Sequence, residues 1–186
     1  MLVMALDVAT KLGYAIGRAG EKPRAGSERL KRPDDPSQRA CRKLGIWLRD
    51  QFAFELPDLV VIEAPVNIGG MIDWKKDSGE RPTFRSTPET ISLLHRLVGG
   101  VETICGPYGI RCESANVQSV RKHVVGKARP ENPKQAVLAR CQMLGYLPKD
   151  YRDTDAADAV ALHIYASDVI CRAKPAGLVL FGEEHP

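Results

Sequence analysis

Leu59-Val60-Val61-Ile62 is an unbroken apolar run, and Glu63 stands directly after it. Strand side chains alternate between the two faces of a sheet, so consecutive aliphatic residues require cover on both faces. A central strand between two helical layers meets that requirement. The chain opens in the same way, with Leu2 to Leu6 closed by Asp7. Tyr14-Ala15-Ile16-Gly17, following Gly13, reads as a hairpin partner for this first strand. Residues 25–30 supply a third strand of poor composition, because Ala25-Gly26-Ser27 has little strand propensity.

Helical periods fill the rest. Asp35 is placed to cap a helix with Pro36 in its first position, and Leu44, Trp47, Leu48 and Phe52 recur at helical spacing until Pro57 stops it. Thr87-Pro88-Glu89 starts a second helix with an apolar stripe of Ile91, Leu94, Leu97, Val98, Val101 and Ile104. Gly99-Gly100 costs this helix about 1 kcal/mol per glycine relative to alanine, which points to close packing against another helix. Gly109 to Glu113 is a short strand, Asn116 caps a short helix through His123, and Asn132-Pro133 opens a helix that ends near Gly145. A last helix begins near Asp153 or Thr154, with Ala157, Val160, Ala161 and Ile164 on its apolar side. Residues 66–86 show no period and read as a long loop. Strands alternating with helices imply an α/β fold with a partly parallel sheet, and the initial hairpin makes that sheet mixed.

The 186 residues suit one domain, expected over 1–172 with a tail at 173–186. No apolar run approaches the roughly 20 residues that cross a bilayer. The N-terminus lacks the basic and apolar regions of a signal peptide, so a cytoplasmic protein is expected. Five cysteines without a CxxC pair are expected to be reduced core residues rather than a zinc site. The net charge of +4 says little, but residues 121–140 hold six Lys or Arg against one acid, Glu131, which suits a polyanion such as nucleic acid.

Four carboxylates carry the chemistry. Asp7 and Glu63 end apolar strands, and ligands of open α/β sheets gather beyond such C-terminal ends. Asp155-Ala156-Ala157-Asp158 places two acids on one helical face, where they repel unless a cation lies between them. Each alone has a plain alternative: a turn residue for Asp7, a surface glutamate for Glu63, a dipole-favoured first turn for the aspartate pair. As a set they suit Mg²⁺ or Mn²⁺, and two such ions activate water and stabilise the leaving oxygen of a phosphodiester.

Four segments in order, LDVATKLGYAI, VVIEAP, VRKHVVGKAR at 120–129 and DAADAVAL at 155–162, make the chain similar to the RuvC-type Holliday junction resolvases of the ribonuclease H-like superfamily. The resemblance frames nearly the whole chain. It implies a mixed five-stranded sheet flanked by helices, and a homodimer that cuts four-way DNA junctions by paired hydrolysis with two Mg²⁺ (or Mn²⁺) per site. It implies that Asp7 contacts both metals, with Glu63, Asp155 and Asp158 completing the set. It makes Arg121, Lys122, Lys127, Arg129 and Lys134 phosphate contacts. Lys134, which precedes Gln135 as a family lysine does, and Lys127 are the first choices for stabilising transition-state charge.

The chain departs from the family after Glu63. A base-stacking phenylalanine of the bacterial housekeeping enzymes is replaced by Val66, and the following loop holds Trp74, Lys75, Lys76, Arg81, Phe84 and Arg85. Trp74 or Phe84 is expected to take over stacking, with the neighbouring cations on DNA, in a phage-like or divergent branch. Two other readings stay open: a nuclease of the same fold acting on another branched, hybrid or RNA substrate, and a non-catalytic module for branched DNA. His95 and His163 read as packing residues, whereas His123 adjoins the basic turn and is a candidate for contacting phosphate or activating water.

Overall fold

The computed structural model describes residues 1–65, 72–73, 83–84 and 87–172. Five strands form one mixed sheet. Leu2–Asp7 (β1) lies at its centre, antiparallel to Lys11–Arg18 (β2), which in turn pairs antiparallel with Arg24–Arg29 (β3). On the other side β1 runs parallel to Leu59–Glu63 (β4), after Ser37–Phe54 (α1), and β4 runs parallel to the edge strand Arg111–Ala115 (β7). Ile72–Asp73 (β5) and Thr83–Phe84 (β6) form a separate antiparallel pair within the stretch expected to be loop. The remaining helices are Pro88–Cys105 (α2), Val117–Val125 (α3), Pro133–Met143 (α4) and Thr154–Tyr165 (α5).

The double burial that the apolar runs demand is present. Val3, Ala5, Leu59 and Val61 pack toward α3, α4 and α5, while Met4, Leu6, Val60 and Ile62 pack toward α1 and α2. Parallel pairing puts the C-terminal ends of β1 and β4 at one edge of the sheet, and the hairpin turn between β1 and β2 lies there too. At 25 cal/mol per Å² of apolar area, each fully buried aliphatic side chain contributes roughly 1.5–3 kcal/mol, so these two clusters are what hold that edge in place.

Several local expectations change. Asp35 does not cap α1: Pro36 occupies the cap position, and Asp35 instead accepts from the Arg32 N–H and the Arg39 guanidinium. Thr87 does cap α2, accepting from the Thr90 N–H, and Asn116 caps α3. Gly99 and Gly100 face open space, not a neighbouring helix. The core side of α2 is carried by Leu93, Leu97, Val98, Val101 and Cys105, so Ile91, Leu94 and Ile104 are only half-buried. β7 starts two residues later than expected because Gly106–Tyr108 forms a 3₁₀ turn that closes on Gly109 in the left-handed region. α5 is buried all round from Ala156 to Ile164, since it lies between the sheet and the α3–α4 layer. The five cysteines are free thiols. Among the described residues no helix is long and apolar enough to cross a membrane.

Candidate metal centre

Asp7 is the last residue of β1 and Glu63 the last of β4. They line one small cavity of about 150 Å³ together with Leu94 and Val98 of α2. α5 brings Asp155 and Asp158 near enough for their charges to act on Asp7. Its start is fixed by Asp153, whose carboxylate accepts from the Asp155 and Ala156 N–H groups. Its approach to the sheet is fixed by Gly13 of β2, where a Cβ would lie 2.1 Å from the Asp155 carbonyl oxygen. Only glycine allows the backbone of α5 to come this close. Farther along, the His163 ring donates from Nε2 to the Gly17 carbonyl at 3.1 Å, tying the other end of α5 to β2.

The four carboxylates feel one another. Burial pushes the Asp7 carboxyl well above its ordinary value, and the charges of Glu63, Asp158 and Asp155 push it further. Burial and Asp158 raise Glu63 likewise, against the opposing charges of Arg121 and Lys134. Burial raises Asp158 to about 6, with Lys134 and Arg121 opposing. Among the described residues none of these three side chains has a hydrogen-bond donor. Asp155 differs: burial raises it, but hydrogen bonds from Lys134 and Lys11 outweigh burial and leave it below its ordinary value. Lys134 Nζ lies 2.6 Å from Asp155 Oδ1, and Lys11 Nζ 2.9 Å from Asp155 Oδ2 and 2.9 Å from Asp153 Oδ1.

As placed, no three His, Cys, Asp or Glu side chains among the described residues stand close enough to hold a metal ion. Lysine ammonium groups occupy both oxygens of Asp155 instead. The donor set still fits a hard divalent cation, because it offers only carboxylate oxygens, and among the described residues Asp7, Glu63 and Asp158 have no hydrogen bond or ion pair that a cation would have to displace.

Of the two lysines ranked first for transition-state charge, Lys134 reaches the carboxylates and Lys127 does not. Lys127 is exposed on the turn after α3 and forms no ion pair among the described residues. Arg121 is the second cation of the site: its charge acts on Glu63 and Asp158, and its Nε is buried without a hydrogen-bond partner among the described residues. Lys122 and Arg129 are exposed on the same flank. His123 is not at the carboxylates; it bonds Asp168 at 2.8 Å and packs edge-on against Tyr165. His163 is a buried packing residue as expected, but His95 is exposed on α2. Val66, Trp74, Lys75, Lys76, Arg81 and Arg85, the side chain of Phe84 and the tail 173–186 lie outside the described residues. Lys11 and Asp153 were not singled out by sequence. Their signal was faint: a lysine opening β2 four residues after Asp7, and an acid two residues before Asp155 that reads as an ordinary cap.

No protein-family model matches the chain and no curated protein matches it. Solved structures do. The chain is similar to RuvC of Thermus thermophilus, with 17% identity, a TM-score of 0.65, and 93% of this chain and 98% of that one covered. It is also similar to T. thermophilus RuvC in complex with a Holliday junction substrate, at 18% identity and a TM-score of 0.65 over 88% and 91% of the two chains. The yeast mitochondrial Holliday junction resolvase Ydc2 matches at 12% identity and a TM-score of 0.58, over 89% of this chain and 77% of that one. The five-stranded mixed sheet with its flanking helices is therefore the ribonuclease H-like fold that RuvC has.

Proposed function

We propose that the chain is a divalent-metal-dependent endonuclease that resolves four-way DNA junctions by paired phosphodiester hydrolysis. The observation that carries the reading is the gathering of Asp7, Glu63, Asp155 and Asp158 at one sheet edge, on a fold shared with a RuvC solved in complex with a Holliday junction substrate and with the Holliday junction resolvase Ydc2. Asp7, Glu63, Asp155 and Asp158 would hold two Mg²⁺ or Mn²⁺ ions. When bound, these ions supply a nucleophilic water at neutral pH and stabilise the leaving oxygen. The chain's own part is to fix the carboxylates through β1, β4 and α5, and to keep Lys134 and Arg121 beside them as charge for the phosphate. To hold a cation, Asp155 would have to release Lys134 and Lys11.

The exposed cations Lys122, Lys127 and Arg129 serve to position the backbone. Trp74, Lys75, Lys76, Phe84 and Arg85 remain proposed DNA contacts on the strength of their chemistry. Two symmetric cuts need two sites, so a homodimer is proposed, with the open Gly99-Gly100 surface of α2 as its candidate interface.

The test is cleavage of a four-way junction beside duplex, flap and RNA–DNA hybrid substrates, with Mg²⁺ and with chelator. Paired nicks in the junction alone support the proposal. Preference for a hybrid or RNA moves the chain to another nuclease class of the same fold. Metal-independent binding with no cleavage in Mg²⁺ or Mn²⁺ leaves a branched-DNA-binding module.

A further inference from the structure

The carboxylate edge has two flanks. One is the α3–α4 side with its basic segment. The other lies across the hairpin, where Lys11 pairs with Arg29, so the end of β3 sits at the same edge as the carboxylates. The Leu30 N–H then donates to the Thr10 carbonyl at 2.9 Å, closing the chain onto the β1–β2 turn. From that point Lys31 and Arg32 lead into α1, whose first two turns carry Arg39, Arg42 and Lys43.

Three open depressions follow one another along this path. One of about 150 Å³ is lined by Thr10, Arg29, Lys31 and Arg32. The next, of about 340 Å³, shares those three cations and adds Arg39 and Lys43. The last, of about 510 Å³, shares Arg39 and Lys43 and adds Arg42. Two of the cations are neutralised, Lys43 by Glu28 and Arg39 by Asp35. Arg29, Arg32 and Arg42 are exposed and form no ion pair among the described residues. The Lys31 ammonium bonds the Arg32 and Pro33 carbonyls, which stiffens the link between β3 and α1.

We propose that this β3–α1 flank is a second phosphate-binding track, which holds the backbone of a DNA arm leaving the carboxylates on the side away from residues 121–134. The proposal rests on the nuclease reading and extends it. A small anion is held by donors that enclose it, whereas an open row of cations that begins at the site complements a polymer of regular charge. The scale agrees: β3 lies two strand spacings from β1, about 10 Å, or roughly three nucleotide rises along a strand.

The experiment is a salt titration of binding to a labelled four-way junction in chelator, comparing the parent, Arg29→Ala/Arg32→Ala/Arg42→Ala, and Lys122→Ala/Lys127→Ala/Arg129→Ala. The first triple variant is expected to weaken binding at low salt, and to lower the slope of log K against log salt by about 2–3, at about 0.9 per lost phosphate contact. Thermal melts equal to the parent's show that the fold is intact, and the single charge reversal Arg32→Glu is expected to weaken binding in the same direction. A parental slope and affinity in both flank variants, while the 122–129 variant weakens, overturns the track and leaves the nuclease reading standing. A parent that binds none of the DNA substrates overturns both.

Discussion

Asp7 shows how chemistry and stability oppose each other at a single residue. Its carboxylate is half-buried beside three others, and burial raises its proton affinity first and the neighbours' charge second. Removing that charge is expected to stabilise the metal-free fold while disabling the site. Asp7→Asn in chelator should gain about 1–3 kcal/mol at pH 8, since each unit of pKa displacement is worth about 1.4 kcal/mol. Its cleavage should fall by more than the roughly 10–100-fold that loss of an outer-shell partner costs. Chemical denaturation and junction cleavage check the two halves; an equally active variant would sink the metal assignment. Lys11 is the reverse case. It holds Asp153 and Asp155 when no cation is present. Lys11→Met is expected to lose at most about 1 kcal/mol in chelator, because the pair is partly exposed. It should also bind Mg²⁺ more tightly by titration calorimetry, because a competitor for Asp155 is gone. Asp7 and the Asp155–Asp158 pair were legible as sequence because their positions, a strand end and an i, i+3 spacing, are local. Lys11 and Arg121 were not legible as partners of those acids: the separations of 144 residues from Lys11 to Asp155 and 37 from Arg121 to Asp158 close only through β2 against α5 and α3 against α5.

α5 carries half of the carboxylates, and its placement depends on β2. Gly13→Ala would put a methyl carbon 2.1 Å from the Asp155 carbonyl oxygen, so β2 and the first turn of α5 must separate. The expected result is a loss of about 1–3 kcal/mol, as for overpacked cores, together with weaker metal binding, because Asp155 and Asp158 move with the helix. A Mg²⁺ titration followed by melting temperature checks both effects; normal metal affinity in a destabilised protein would show that α5 can move without carrying the site. Periodicity located this helix and its Asp153 start. It could not show that every face is covered, since Ala156, Ala157, Ala159 and Ala161 are compatible with either a stripe or complete burial. The cap of α1 was misread for a different reason: Asp35 turns back to the Arg32 N–H, with Arg39 one turn on as its second partner. The basic track along β3 and α1 was hidden in the sequence because Glu28, Asp34 and Asp35 are interleaved with its cations, and only the fold shows that Glu28 pairs with Lys43 and Asp35 with Arg39 while Arg29, Arg32 and Arg42 form no ion pair among the described residues.

For the whole molecule, the same groups set the response to pH. Asp7, Glu63 and Asp158 have raised values, so their contribution to stability is intact below about pH 4 and is lost as pH rises, through about 6 for Asp158. His163 works the other way. Burial lowers its value, against the Gly17 hydrogen bond, so stability falls as pH drops below the unfolded value of about 6.5. Between about pH 4 and 6.5 the two effects oppose each other, and three carboxyls outweigh one imidazole, so metal-free protein should be most stable near pH 4, with the alkaline arm set by the carboxyls and the acid arm by His163. Mg²⁺ should lift the alkaline arm and leave the acid arm alone, because the cation takes the place of protons on the carboxylates and has no role at His163. Melting temperatures from pH 4 to 9 with chelator and with Mg²⁺ test this; an equal shift at both ends would mean that the ion binds elsewhere. The five-stranded order was within reach of sequence because the apolar runs and the hairpin leave few right-handed arrangements.

The cavity between Asp7 and Glu63 bears on inhibition. Its volume of about 150 Å³ is well below the roughly 300–1,000 Å³ that drug-sized ligands occupy. A compound aimed at this edge can draw little from enclosure. It would have to gain its affinity by chelating the cations proposed for this edge through a compact anionic head, and reach selectivity with a tail laid toward Leu94 and Val98 of α2.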